Sequence, residues 1–68
     1  MAKEITIGKN IKKLRNKIGL SQEEFAKKSG VKYTTLTKIE SGIIKKPSVI
    51  VMDQIAKALR VPIEDLIK

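Results

Sequence analysis

The sequence predicts an all-α fold, a five-helix bundle in which the second and third helices meet at a tight turn. Three observations predict it. Apolar residues recur three and four apart in successive segments, glycines stand where those segments end, and no run alternates as a strand would. Sixty-eight residues suffice for one domain over residues 1–68, without internal repeats, linkers or low-complexity tracts. At this length only about 60% of the unfolded chain's surface can be buried, so the five segments must share one small core.

The first helix is expected over about residues 6–18, because Ile7, Ile11, Leu14 and Ile18 form one stripe with Lys9, Lys12, Lys13 and Lys17 between them. Thr6 is suited to cap its start and Gly19 to end it in a left-handed conformation. The second helix, 21–29, opens on Ser21 and Glu24 as a capping box, with apolar Leu20 before the cap and Gly30 after the last turn. The third, 32–41, places Val31, Leu36 and Ile39 along one edge and stops at Gly42. Only Gly30, Val31 and Lys32 separate these two short helices. IIKKP reads as a loop. Pro47 and Ser48 open a fourth helix, 48–59, with Val49, Met52, Ile55, Ala56 and Leu59 inward, and a short fifth, 62–67, begins at Pro62.

Composition narrows the chemistry. The chain has no cysteine or histidine, which removes disulfides, zinc sites, thiol nucleophiles and imidazole bases. Its acids, Glu4, Glu23, Glu24, Glu40, Asp53, Glu64 and Asp65, form no pair beside a plausible nucleophile, so no enzyme is expected and no cofactor is needed. MAKEITIGKN lacks the apolar core of a secretion signal, and no run approaches the roughly 18 apolar residues of a membrane span. A soluble, cytoplasmic protein without a membrane partner is the expectation.

Fifteen lysines and arginines against seven acids leave a net charge of +8, which points to an anionic partner, nucleic acid ahead of an anionic membrane surface. Residues 5–22 hold five basic groups and no acid, and residues 25–52 hold six lysines against Glu40 alone, so the charge is concentrated in the first three-quarters of the chain. At about 100° per residue, Tyr33, Thr34, Thr37, Lys38 and Ser41 occupy one arc of the third helix spanning about 140°, opposite Leu36 and Ile39. An α-helix fits the major groove of B-DNA, where short polar side chains on its outward face reach base edges.

IGKNIKKLR, GLSQEEFAKKSGV, LTKIESG, KPS, IAKAL and VPIEDLI follow one another in an order and spacing that resembles the lambda-repressor-like helix-turn-helix family, also called XRE or Cro-type, from Ile7 to Leu66. The resemblance implies a five-helix bundle that inserts its third helix into the major groove of double-stranded DNA. By position, Tyr33, Thr34, Thr37 and Lys38 match the family's base-reading sites. Lys38 can donate to guanine, the threonines can touch thymine methyls or exchange hydrogen bonds, and Tyr33 can meet either a thymine methyl or a phosphate. Phosphate contacts are expected from Gln22, Lys32, Ser41, Lys45 and Lys46. Lysine occurs thirteen times and arginine twice, so Arg15 beside an apolar stripe stands out; the family commonly joins its first and third helices by an ion pair at the positions of Arg15 and Glu40.

The sequence departs from the family pattern at three places. Lys32 stands where serine often caps the recognition helix, so that start is expected to fray. Arg60 takes a place where glycine is usual, with a left-handed conformation costing on the order of 1 kcal/mol. Ser29 replaces a frequent leucine and is expected to lose apolar packing. Ile50 and Val51, placed on the outer side of the fourth helix, and Ile63 and Ile67 are either irregular core burial or the dimer interface that family members generally form at this end.

The function expected is a sequence-specific regulator of transcription, most simply a homodimeric repressor on a pseudo-palindromic operator. The alternatives are an antitoxin with a cognate toxin protein, a restriction–modification controller, or a protein-interaction module without DNA binding. No small-molecule effector is expected.

Overall fold

The structure, a computed structural model, describes residues 7–67. Four α-helices follow in order, α1 Ile7–Lys17, α2 Gln22–Ser29, α3 Tyr33–Ser41 and α4 Val49–Leu59, and then a single 3-10 turn, Ile63–Leu66. No strand occurs among the described residues, and none of their helices is long and apolar enough to cross a membrane. The fifth helix expected over 62–67 is thus corrected to a 3-10 turn. Its bonds span three residues, from the Asp65 amide to the Pro62 carbonyl at 3.0 Å and from the Ile67 amide to that of Glu64 at 3.2 Å. After Pro62, whose ring lacks an amide hydrogen, the segment closes only i to i+3 bonds, the geometry that suits such short pieces. The turn drops Leu66 into the core, and Asn10 of α1 ties it down by donating to the Leu66 carbonyl at 2.8 Å.

Helix boundaries follow from local chemistry. Ser21 caps α2, its hydroxyl accepting from the Glu24 amide at 3.1 Å while the Glu24 carboxylate accepts from the Ser21 amide at 2.9 Å. Hydrogen bonding to the carboxylate from the Ser21 amide, and secondarily from the Ser21 hydroxyl, holds the Glu24 carboxyl below the usual carboxylate range. Gly30 and Gly42 end α2 and α3 with φ of 78° and 89°, a region where a Cβ would meet the following carbonyl, so the length of α3 is set by glycine at one end and the α2–α3 turn at the other. Ser48 caps α4 by accepting from the Val51 amide at 3.2 Å. Arg60 ends it in the left-handed region at φ 58°, and is the one non-glycine residue with positive φ among those described.

Several expectations change. The cap expected at Thr6 lies outside the described residues. α1 stops at Lys17, and Ile18, read as part of its apolar stripe, is exposed because the chain already reverses toward Gly19, with the Leu20 amide bonding the Arg15 carbonyl at 3.3 Å. Val49, read as inward, is 75% exposed, since it occupies the first position after the Ser48 cap and the buried face of α4 begins at Met52. Val51 and Ile63, expected on the outside, are partly buried against the core, whereas Ile50 and Ile67 are exposed. Ser29 is buried with its hydrogen bonds made: it donates to the Ala26 carbonyl at 3.3 Å and accepts from the Val31 amide at 3.2 Å. The hydroxyl braces the turn between α2 and α3 from inside, a role leucine does not have.

Ile11, Phe25, Leu36, Ile39, Ile55 and Leu66 have no solvent exposure and come from all four helices and the 3-10 turn. Each such side chain contributes roughly 1.5–3 kcal/mol of burial. Leu36 and Ile39 direct one edge of α3 inward, and that orientation alone decides which of its residues face water.

Candidate nucleic-acid interface

On the edge of α3 away from Leu36 and Ile39, Tyr33 is 47% exposed, Thr34, Lys38 and Ser41 are exposed, and Thr37 is half-buried. The Thr37 hydroxyl donates to the Thr34 carbonyl at 2.9 Å and that of Ser41 to the Lys38 carbonyl at 3.1 Å. Each hydroxyl proton is therefore used within the helix, leaving an oxygen that accepts and, in Thr37, a methyl group. Lys32 precedes the helix as its N-cap without a side-chain capping bond, so the first amides of α3 have no side-chain acceptor at that position.

A buried network holds α3 against the rest of the molecule. Arg15 donates from Nε to Glu40 Oε2 at 2.8 Å, from Nη2 to Glu40 Oε1 at 2.9 Å, and from Nη1 to the Leu20 carbonyl at 2.7 Å. The two side chains are 8% and 2% exposed. This is the forked geometry that arginine provides and lysine does not. The bond to Glu40 raises the affinity of the guanidinium for its proton, burial acts the other way, and the attraction of the carboxylate adds to the bond.

Gln22, in the first turn of α2, closes the network by donating from Nε2 to Glu40 Oε1 at 3.1 Å. One amide hydrogen is thus committed to a protein carboxylate and the second remains for another acceptor. Glu40 therefore receives bonds from α1 and α2 while sitting on α3, which fixes three helices to one another at a single carboxylate. The Gln22–Glu40 bond leaves no trace in the sequence, because the two residues stand eighteen positions apart.

Beyond α3 the chain turns over its end, and the Ile44 amide bonds the Lys38 carbonyl at 3.0 Å. Lys45 and Lys46 are exposed on this segment, as is Ile43, a residue that the loop reading did not single out. The structure therefore gathers Tyr33, Thr34, Thr37, Lys38 and Ser41 on one face and ties Gln22 to the end of the same helix. Lys32 adjoins the start of the helix, and Lys45 and Lys46 follow its end without a side-chain bond to the other expected site residues. Ile50 and Ile67, expected at a dimer interface, are on the surface, while Val51 and Ile63 are half-covered by their own chain.

Comparison with known proteins supplies the context for this arrangement. The family model described as helix-turn-helix matches residues 11–66. An uncharacterised HTH-type transcriptional regulator of Mycobacterium tuberculosis, found in strains CDC 1551 and H37Rv, is 43% identical over 59 residues. That match covers 87% of this chain, and the chain spans only 41% of the length of those relatives. Among solved structures, SinR, the master regulator for biofilm formation, in complex with DNA superposes with a TM-score of 0.88 at 32% identity, covering 91% of this chain and 98% of that one. The N-terminal DNA binding domain of SinR from Bacillus subtilis gives the same TM-score and identity over 91% and 90% of the two chains. The restriction-modification controller protein C.AhdI from Aeromonas hydrophila gives a TM-score of 0.84 at 29% identity over 91% and 92%.

Proposed function

This chain belongs to the lambda-repressor-like helix-turn-helix family of DNA-binding transcriptional regulators, and we propose that it acts as a homodimeric repressor that places α3 in the major groove of a pseudo-palindromic operator. The family consists of DNA-binding proteins and not of enzymes. The observation that carries the proposal is the division of α3 into an edge with no exposure at Leu36 and Ile39 and an edge that offers Tyr33, Thr34, Thr37 and Lys38 to solvent.

Each residue has a chemical role in this reading. Lys38 donates to guanine O6 and N7; Thr37, its proton already used, accepts from a base amino group or packs its methyl on thymine; Thr34 and Tyr33 complete the readout. Gln22 donates its second amide hydrogen to a phosphate, and Lys32, Ser41, Lys45 and Lys46 contact the backbone and set register. The Arg15–Glu40 pair keeps the carboxylate of α3 neutralised, so it does not repel the strand beside it. Dimerisation through Ile50 and Ile67 presents two copies of α3 about one helical turn apart, roughly 34 Å. With about six to ten phosphate contacts, affinity falls roughly 10³- to 10⁵-fold between 50 and 200 mM salt.

Selection of bound duplexes from a random pool tests the proposal directly. An inverted repeat is expected, and Lys38→Ala should relax one position per half-site at a cost of about 1–3 kcal/mol in discrimination. A Lys38→Ala chain that selects the unaltered motif with unaltered affinity would remove α3 from the readout. A second reading, control of a restriction–modification system, is supported by the likeness to C.AhdI over nearly the whole of both chains. It uses the same α3 face and differs in the genes that the operator governs.

A further inference from the structure

Between α2 and the start of α3 lies a hollow of about 530 Å³, largely open to solvent. Its floor is apolar, formed by the buried Ala26 and Val31, and Lys27, Lys32, Tyr33 and Glu23 stand around it. Lys32 and Tyr33 already belong to the face assigned to DNA. Lys27 does not, and nothing in the sequence set it apart from Lys28 beside it.

We infer that this hollow seats the sugar–phosphate backbone of the bound duplex where it leaves the groove at the start of α3, with Lys27 as a phosphate contact and Glu23 as a residue that holds affinity down. The inference rests on the DNA reading above. Three observations favour this occupant. An open hollow cannot enclose the 70–90% of a small ligand's surface that metabolite sites bury, whereas an extended strand needs only a trough. An apolar floor beneath two lysines matches a polymer that alternates deoxyribose with phosphate. The ion pairs formed among the described residues are Arg15–Glu40 and Lys57–Asp53, so Lys27 and Lys32 keep their charge for an outside anion. Glu23, one turn before Lys27 on α2, is not paired with it, and its carboxylate stands in the wall of the same trough.

The hollow also continues the α3 face without a break, since Tyr33 is common to both. A strand crossing here meets Lys32 and then Lys27, in the direction away from the bases that α3 reads. Such a contact carries no sequence information; it strengthens binding to any duplex.

The experiment compares the wild-type chain with Lys27→Ala, Lys28→Ala and Glu23→Gln, all on exposed side chains of α2, by titrating a 20-base-pair mixed-sequence duplex over a range of salt. Lys27→Ala should weaken binding about fivefold at 150 mM salt and lower the log–log salt slope by about 0.9, the signature of one lost phosphate contact. Lys28→Ala should leave both unchanged, and Glu23→Gln should tighten binding about threefold. A wild-type slope in Lys27→Ala, or an equal loss in Lys28→Ala, overturns the assignment while leaving the DNA reading in place. A wild-type chain whose duplex binding ignores salt overturns both.

Discussion

The seam between α1 and α3 and the segment running from Ile43 into the first turn of α4 draw on the same kinds of residue, isoleucine and lysine among them, and end in opposite states. At the seam the backbones approach so closely that a Cβ built on Gly8 would overlap the Ile39 carbonyl oxygen, and Glu40 is closed off by Arg15 and Gln22. In the other segment Ile43, Val49 and Ile50 are each about three-quarters exposed, at 73%, 75% and 74%. The difference is one of completion: the seam satisfies its polar groups and apolar surface within the chain, while the loop and α4 leave apolar area for something else. A rigid mount for α3 and an unfinished surface elsewhere are what a protein needs if it reads DNA with one face and meets another macromolecule with a second.

Breaking the seam should have the largest effect. Arg15→Ala leaves a carboxylate that is 2% exposed with a glutamine amide as its main partner, and stranding a buried charge costs about 3–5 kcal/mol. Total stability for a chain this size is about 3–10 kcal/mol. The variant should therefore be largely unfolded at 37 °C, with duplex affinity lost alongside. A thermal melt within 5 °C of the wild type would show that the pair does not hold the seam. Removing both charges, as Arg15→Met with Glu40→Leu, should restore most of the stability, because well-packed apolar pairs often replace buried ion pairs at no cost. Duplex affinity should stay low, since Gln22 has then lost its anchor.

Gly8→Ala tests the same seam without touching charge. Alanine favours a helix interior over glycine by about 1 kcal/mol, so a loosely packed seam would gain stability. The overlap with the Ile39 carbonyl is with backbone, which cannot rotate away, and overpacking costs typically 1–3 kcal/mol and more where backbone must shift. Overpacking should win by about 1–2 kcal/mol, visible as a lower urea midpoint at unchanged slope. A raised midpoint would mean that α1 and α3 are free to separate.

The seam and the loop also differ in how much of them the sequence discloses. Helix ends near Ser21, Gly30, Gly42 and Ser48 are readable because caps are local chemistry: a hydroxyl two or three residues from an amide, or a glycine at positive φ. The exposed face of α3 is readable for the same reason, since Leu36 and Ile39 fix its rotation. Arg15 and Glu40 stood out through the scarcity of arginine and the family resemblance; Gln22's bond to Glu40 and the approach at Gly8 did not, because both join residues far apart in the chain. Periodicity also fails at the ends of elements. Ile18 and Val49 continue an apolar rhythm one step past the last or before the first buried turn, and chain reversal or a cap then points them into water. The last segment has too few residues for a period to distinguish an α-helix from the 3-10 turn that forms.

The unfinished surface gives the smallest effect on stability and so sharpens the comparison from its other side. Val49 and Ile50 lie in the first turn of α4, before the buried run that starts at Met52, so lysine at both positions disturbs little of the chain's own packing. Monomer stability should fall by no more than about 1 kcal/mol, because the sites are exposed and the main cost is two cations set against the N-terminal dipole of α4. Self-association is another matter: Ile50 belongs to the two-fold contact proposed above and Val49 adjoins it, so charges placed there on each copy repel, and sedimentation should show the proposed dimer of the wild-type chain lost in the variant. Binding to a full operator should weaken far more than binding to a half-site, because the second copy of α3 is no longer delivered with the first. A loss of more than 1.5 kcal/mol in the dilute, monomeric variant would place Val49 and Ile50 inside the fold, and the contrast with the α1–α3 seam would then be one of degree.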